Sequence, residues 1–246
     1  LLSDGSFICG SLDECRGSRC GLPFFEGQMS HVGKHYDLEL HGRPIRIVIV
    51  GQECGHGPKC IERSRRSSII VDGSGKAGFR KRNPHMKGTT SLLRLLLGRD
   101  PGFDKDGERL LDGHIFDGFA LVNYLLCTAL ESPRSDAAFG GGKGHSSETM
   151  RRNCAPHFLR TLEILEPTVI VAQGKGVREW LAHAIQPQQR GPMTEIVEIN
   201  GKQVDLLTFA HPSAGGSYGF WGNSLRSKYL RESVTPTIKA LLTERR

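Results

Sequence analysis

A chain of 246 residues, 37% of them hydrophobic, can bury one good-sized core, and its 33 basic against 26 acidic residues give a net charge of +7. A pI near 9.2 biases such a protein toward polyanions, nucleic acid among them. No apolar run approaches the roughly 20 residues of a membrane helix, and LLSDGSFICG lacks the basic and long apolar regions of a signal peptide, so a cytoplasmic protein without a membrane partner is expected.

Residues 1–44 hold three of the seven cysteines and scattered glycines, and read as an arm packed on a single domain spanning 1–246. IRIVIV (45–50) is the first of four short β-branched or apolar runs that predict buried parallel strands. The others are FALV (119–122), TVIVA (168–172) and LLTFA (206–210). Helical patterns lie between or after them: SLLRLLLG (91–98), HFLRTLEILEP (157–167), GVREWLAHAI (176–185) and SLRSKYLRESVTPTIKALL (224–242), the last broken near Pro236. The alternation predicts a three-layer α/β fold with a mostly parallel, four-stranded central sheet. The Gly-rich stretch 132–147 departs from that rhythm and reads as a functional lid or a disordered loop.

Polar or glycine-rich sequence follows each predicted strand at once. Gly51-Gln52-Glu53 comes first, then Asn123, then Gln173-Gly174, then His211-Pro212-Ser213. Open α/β sheets bind ligands outside the carboxyl ends of their strands, so a carboxylate, an amide and an imidazole are expected at one rim.

The segment HPSAGGSYGFWGN (211–223) resembles the His-Pro-Ser motif and aromatic-glycine continuation of family 1 uracil-DNA glycosylases. GQECGHGP (51–58) is similar to their water-activating motif, with Glu53 in place of Asp. VNYLLC (122–127) and RRNCAPHFLRTLEILEPTVIVAQG (151–174) resemble family 4, the iron–sulfur branch of the same superfamily. The matches run in order through about residues 45–242 and imply a uracil-DNA glycosylase-like fold.

That resemblance implies a monomeric DNA-repair enzyme that flips uracil out of DNA and hydrolyses the N-glycosidic bond, leaving an abasic site, with no catalytic metal. Asn123 would read the carbonyl and N–H edge of uracil bidentately. His211 would stabilise the departing base as a neutral hydrogen-bond donor, and Glu53 would position and activate water. Gln52 would contact the flipped nucleotide. Gly55, where family 1 has a Tyr, would leave a looser pocket open to other damaged bases. Ser213 and Gly215 would meet the flanking phosphate. Lys81 and Arg82, in KAGFRKRNPHMKG (76–88), would track the backbone unless that stretch is simply a solvated charged loop. Ile70 and Phe79 are candidates to stack on the base.

Family 4 holds a [4Fe–4S] cluster, which would assign Cys15, Cys20, Cys127 and Cys154 as ligands, with four residues between the first two where the family has two and Cys9 as a substitute. Zinc or free buried thiols are the alternatives for the same residues. Two other functions stay open: a non-catalytic damaged-DNA-binding relative, and a variant whose His145 forms a covalent adduct with abasic DNA.

Overall fold

The computed structural model describes residues 9–53, 63–130 and 144–245. Seven strands form one sheet: β1 (His31–Val32), β2 (Ile47–Gly51), β3 (Phe119–Asn123), β4 (Val169–Gln173), β5 (Gln188–Gly191), β6 (Thr194–Ile199) and β7 (Lys202–Phe209). Their order across the sheet is β5-β6-β7-β4-β2-β3-β1. The four central strands are parallel, in a register that sets Ile47 beside both Val169 and Phe119 and Val169 beside Asp205. They correspond to the four apolar runs of the sequence.

The sheet is larger and more mixed than expected. β5 and β6 form an antiparallel hairpin that extends onto β7, and β1 pairs antiparallel with β3 at the other edge. The four-stranded parallel sheet is therefore the centre of a seven-stranded one. β5 and β6 read QQRG and TEIVEI, half-exposed and polar, without the apolar continuity that marks a strand buried on both faces.

Side chains alternate across a strand, and two cores result. Ile47, Ile49, Leu121, Val171 and Phe209 share one core with Leu92 and Leu93 of α3 (Pro84–Leu96) and Ile238 and Leu241 of α6 (Thr235–Glu244). Val48, Val50, Val122 and Ile170 share the other with Phe158 and Leu162 of α4 (Glu148–Leu165) and Val177 and Leu181 of α5 (Lys175–Ile185). Helices thus cover both faces of the sheet, and a short helix α2 (Arg63–Ser68) packs against β1.

α3 and α4 start earlier than the apolar periodicity suggested, and α6 starts later. Asn83 caps α3 by accepting a hydrogen bond from Met86 N at 2.8 Å, with Pro84 in the first turn. Ser147 caps α4 in the same way at 3.0 Å, and that helix runs through Pro156. Pro236 lies in the first turn of α6.

The arm contributes β1, a short helix α1 (Leu12–Gly17) packed against α4, and a strand Phe24–Phe25 paired with Thr128–Ala129. Among the described residues no helix is long and apolar enough to cross a membrane.

Candidate functional site

The parallel strands β3, β2, β4 and β7 end on one edge of the sheet, and the chemistry-bearing residues follow in that order. Asn123 closes β3 opposite Gly51. Its residue is 5% exposed, and the amide makes no hydrogen bond to any other described residue. A Cβ on Gly51 would come 3.4 Å from Asn123 Oδ1, so glycine there leaves that face of the amide uncrowded. The turn after β2 is zipped onto the segment after β3 by Tyr124 N to Gly51 O and Leu125 N to Gln52 O, both 3.0 Å.

Glu53 stands two residues beyond β2. Thr128 Oγ1 donates to its Oε2 at 2.7 Å, and Gln52 Nε2 donates to its Oε1 at 3.2 Å. Burial raises the Glu53 pKa above the ordinary carboxylate value, and these two bonds together with Arg19 oppose the rise. Gly144 passes so close to the Glu53 carboxylate that a Cβ at that position would overlap it. A carboxylate held this way has the raised proton affinity of a general base.

At the far end of the rim, Ala210 is pinned on both sides: its N–H donates to Tyr229 Oη at 3.0 Å, and Trp221 Nε1 donates to its carbonyl at 2.8 Å. His211 follows. The Ser213 N–H donates to His211 Nδ1 at 3.2 Å, which makes Nδ1 the acceptor and leaves the proton of the neutral ring on Nε2. The residue keeps an exposed face although protein surrounds the rest of the ring, and burial lowers its pKa. His211 is therefore held as a neutral Nε2–H donor.

The sequence did not single out His85, in the first turn of α3. Its ring stacks on His211 with centroids 5.5 Å apart and planes 14° from parallel. Burial first, then the charges of His211 and Arg66, push the His85 pKa down to about 3, with Gln173 opposing the fall. Gln173, 1% exposed, donates to Thr89 Oγ1 at 3.1 Å. α3 can approach the loop after β7 because residue 88 is glycine: a Cβ there would lie 2.5 Å from Pro212 Cγ.

Asn123, Gln52, Glu53 and His211 thus share one edge of the sheet, with Asn123 and His211 three strand spacings apart, about 14 Å along the rim at roughly 4.8 Å per spacing. Ser213 contributes its backbone to the His211 tautomer. The space beside Gly215 is taken by the Phe220 ring, 2.9 Å from where a Cβ would stand. Lys81 is exposed on the turn before α3.

Arg82 departs from expectation. Its guanidinium is fully buried, bonded to Glu108 Oε2 at 2.6 Å and to the Ser74 and Gly75 carbonyls, and it cannot reach a phosphate. Ile70 and Phe79, 3% and 7% exposed, are buried core residues. Trp221 is likewise core. Gly55 lies outside the described residues, as do Cys54, Cys60 and most of the Gly-rich stretch. His145 is described: its N–H donates to Ala129 O at 2.8 Å, and its Nδ1 is buried without a hydrogen-bond partner.

None of the five described cysteines is in a disulfide. Cys15, Cys127 and Cys154 are buried, as the iron–sulfur assignment requires, but Cys20 is exposed. Cys9 stands nearer the group, its Sγ 3.8 Å from His157 Nε2, one helical turn from Cys154 on α4. Burial first, then Cys154, Cys15 and Cys9, push the Cys127 thiol up to about 12, while burial, Cys15 and Cys9 push Cys154 up to about 11. Each buried sulfur has an N–H donor: Asn153 Nδ2 for Cys15 at 3.6 Å, Gly27 N for Cys127 and Leu126 N for Cys154. Among the described residues no three His, Cys, Asp or Glu side chains converge as one metal ion would need. A cluster, which carries each thiolate on a different iron, tolerates wider spacing.

No protein-family model matches this chain, and no curated protein matches it in sequence.

Proposed function

We propose that the protein is a DNA-repair glycosylase of the uracil-DNA glycosylase kind, hydrolysing the N-glycosidic bond of an everted uracil. The observation that carries this proposal is Asn123: a residue 5% exposed, its amide without a hydrogen bond to any other described residue, at the strand-end rim shared with Glu53 and His211. An amide that no protein group satisfies is available to a ligand with a matching donor and acceptor. Uracil presents that pair on one edge.

Cleavage develops negative charge on the departing base and positive charge on the sugar. His211, neutral with its proton on Nε2, donates to the base oxygen as charge grows there. Glu53, its carboxylate steadied by Thr128 and Gln52, orients water, takes its proton and offsets the sugar's charge. An iron–sulfur cluster belongs to the same proposal, in a structural role that ties the arm to α4. Cys9, Cys15, Cys127 and Cys154 would hold it.

The test is release of uracil from a uracil-containing oligonucleotide, read as strand scission after alkali. Scission by wild type is expected, with kcat/KM lowered about 100-fold in Asn123→Ala, the loss of one bidentate base contact of about 3 kcal/mol. An intact oligonucleotide after incubation with the folded wild-type protein overturns the proposal.

A further inference from the structure

Most of this chain's buried or half-buried arginines are neutralised internally: Arg82 by Glu108, Arg94 by Asp104, Arg178 by Glu195 and Arg245 by Asp205. Arg80 and Arg226, both exposed, and the half-buried Lys87 are different. None has a carboxylate partner among the described residues, and all three line one cleft of about 280 Å³. Asn223 and Ser224 line it too, and no Asp or Glu does.

An aromatic ring positions one of the three cations. The Arg80 guanidinium lies 5.5 Å over the ring of Phe103, which is 55% exposed and itself 6.1 Å from the buried Phe79 ring. Stacking of this kind covers the apolar face and leaves the guanidinium edge free to donate. Ser224 Oγ accepts the Arg226 N–H at 3.1 Å, so its own proton remains to be given to an acceptor.

Position links the cleft to the strand-end rim. Lys87 precedes Gly88, which packs on Pro212 beside His211. Asn223 follows Gly222, which packs on Pro212 and on the Pro84 carbonyl next to His85. Both walls therefore continue the two segments that present the stacked histidines. At about 280 Å³ the space is just below the usual range of a small-molecule pocket and partly open to solvent. It fits a chain of phosphates better than a whole nucleotide.

We propose that this cleft binds the phosphodiester backbone of the DNA strand beside the everted nucleotide, through Arg80, Lys87 and Arg226, with Asn223 and Ser224 donating to phosphate oxygens. The identity of the partner rests on the glycosylase proposal, but the binding measurement does not, because it uses undamaged DNA.

The experiment measures the affinity of the full chain for an undamaged oligonucleotide, single-stranded and duplex, by fluorescence anisotropy over a series of salt concentrations. The double variant Arg80→Gln/Arg226→Gln is compared with Arg160→Gln/Lys202→Gln, which removes the same charge elsewhere on the surface. Each phosphate contact contributes roughly 0.7–0.9 to the slope of log K against log salt, so the first variant should flatten the slope by about 1.5. The control should leave it unchanged. Equal slopes in wild type and the cleft variant overturn the proposal, as does equal flattening by the control pair. So does inorganic phosphate or a mononucleotide bound at the cleft with DNA affinity unaltered in the variant. If DNA binding behaves as expected but no uracil is released, the catalytic proposal fails and the cleft stands.

Discussion

His85 and His211 lie face to face at the end of the sheet, their ring centroids 5.5 Å apart, and neither ring favours a proton. Each would meet the other's charge if both ionised, and Arg66 adds a further cation beside His85. Burial lowers the His211 pKa and so favours the neutral form that its Nδ1 hydrogen bond with Ser213 already requires. Linkage gives the sign. Between pH 6.5 and about 3 the unfolded chain protonates residue 85 while the folded chain does not, so this group's contribution is fully present above 6.5 and is lost as pH falls. One such site costs at most about 1.4 kcal/mol per pH unit. Urea midpoints of wild type should fall more steeply from pH 7 to pH 5 than those of His85→Phe, which keeps a ring but cannot titrate. Parallel pH dependence in the two proteins would show that His85 is ordinary.

Thr128 ties the carboxylate of Glu53 to the strand that pairs with the arm. Burial raises the Glu53 pKa and the hydroxyl holds it down, so Thr128→Val should raise it further. A general base works only when ionised, and the acid limb of kcat/KM for uracil release should move to higher pH. Loss of one hydrogen bond to a charged group, about 1.5 kcal/mol, should lower kcat/KM on the acid limb roughly ten-fold. A limb that stays in place while activity falls would mean that Thr128 acts on something other than the Glu53 proton.

The four central strands were legible because they are buried on both faces and their composition is continuous. The rim was legible for the same reason, since an abrupt change from IRIVIV to GQE marks where burial stops. The hairpin β6-β7 had a readable signal that apolar runs conceal. Asn200 and Gly201 both have positive φ, 51° and 72°, the turn that Asn-Gly between alternating strands favours. Arg82 shows the opposite limit. It sits in a basic run that looks like a phosphate track, and only the fold reveals Glu108, 26 positions later, closing on it. His85 was hidden because a single histidine in a helix start carries no pattern, and its importance comes from a ring 126 residues away.

Cys9 and Cys20 separate two ligand sets for the proposed cluster. Cys20 keeps the spacing closest to a paired-cysteine motif but is exposed at the end of a turn, whereas Cys9 reaches toward α4 beside His157. Buried thiols with raised pKa values are neutral until a metal displaces their protons, so a missing fourth thiolate leaves three ligands and an open iron. Protein purified without air should contain iron and inorganic sulfide and absorb in the visible. Cys20→Ser should keep that iron content and spectrum, and Cys9→Ser should lose most of both. The reverse pattern would return the assignment to Cys20, and iron retained in both variants would remove both residues from the ligand set. Metal content is read independently of uracil release, so each result stands whether or not the protein proves to be a glycosylase.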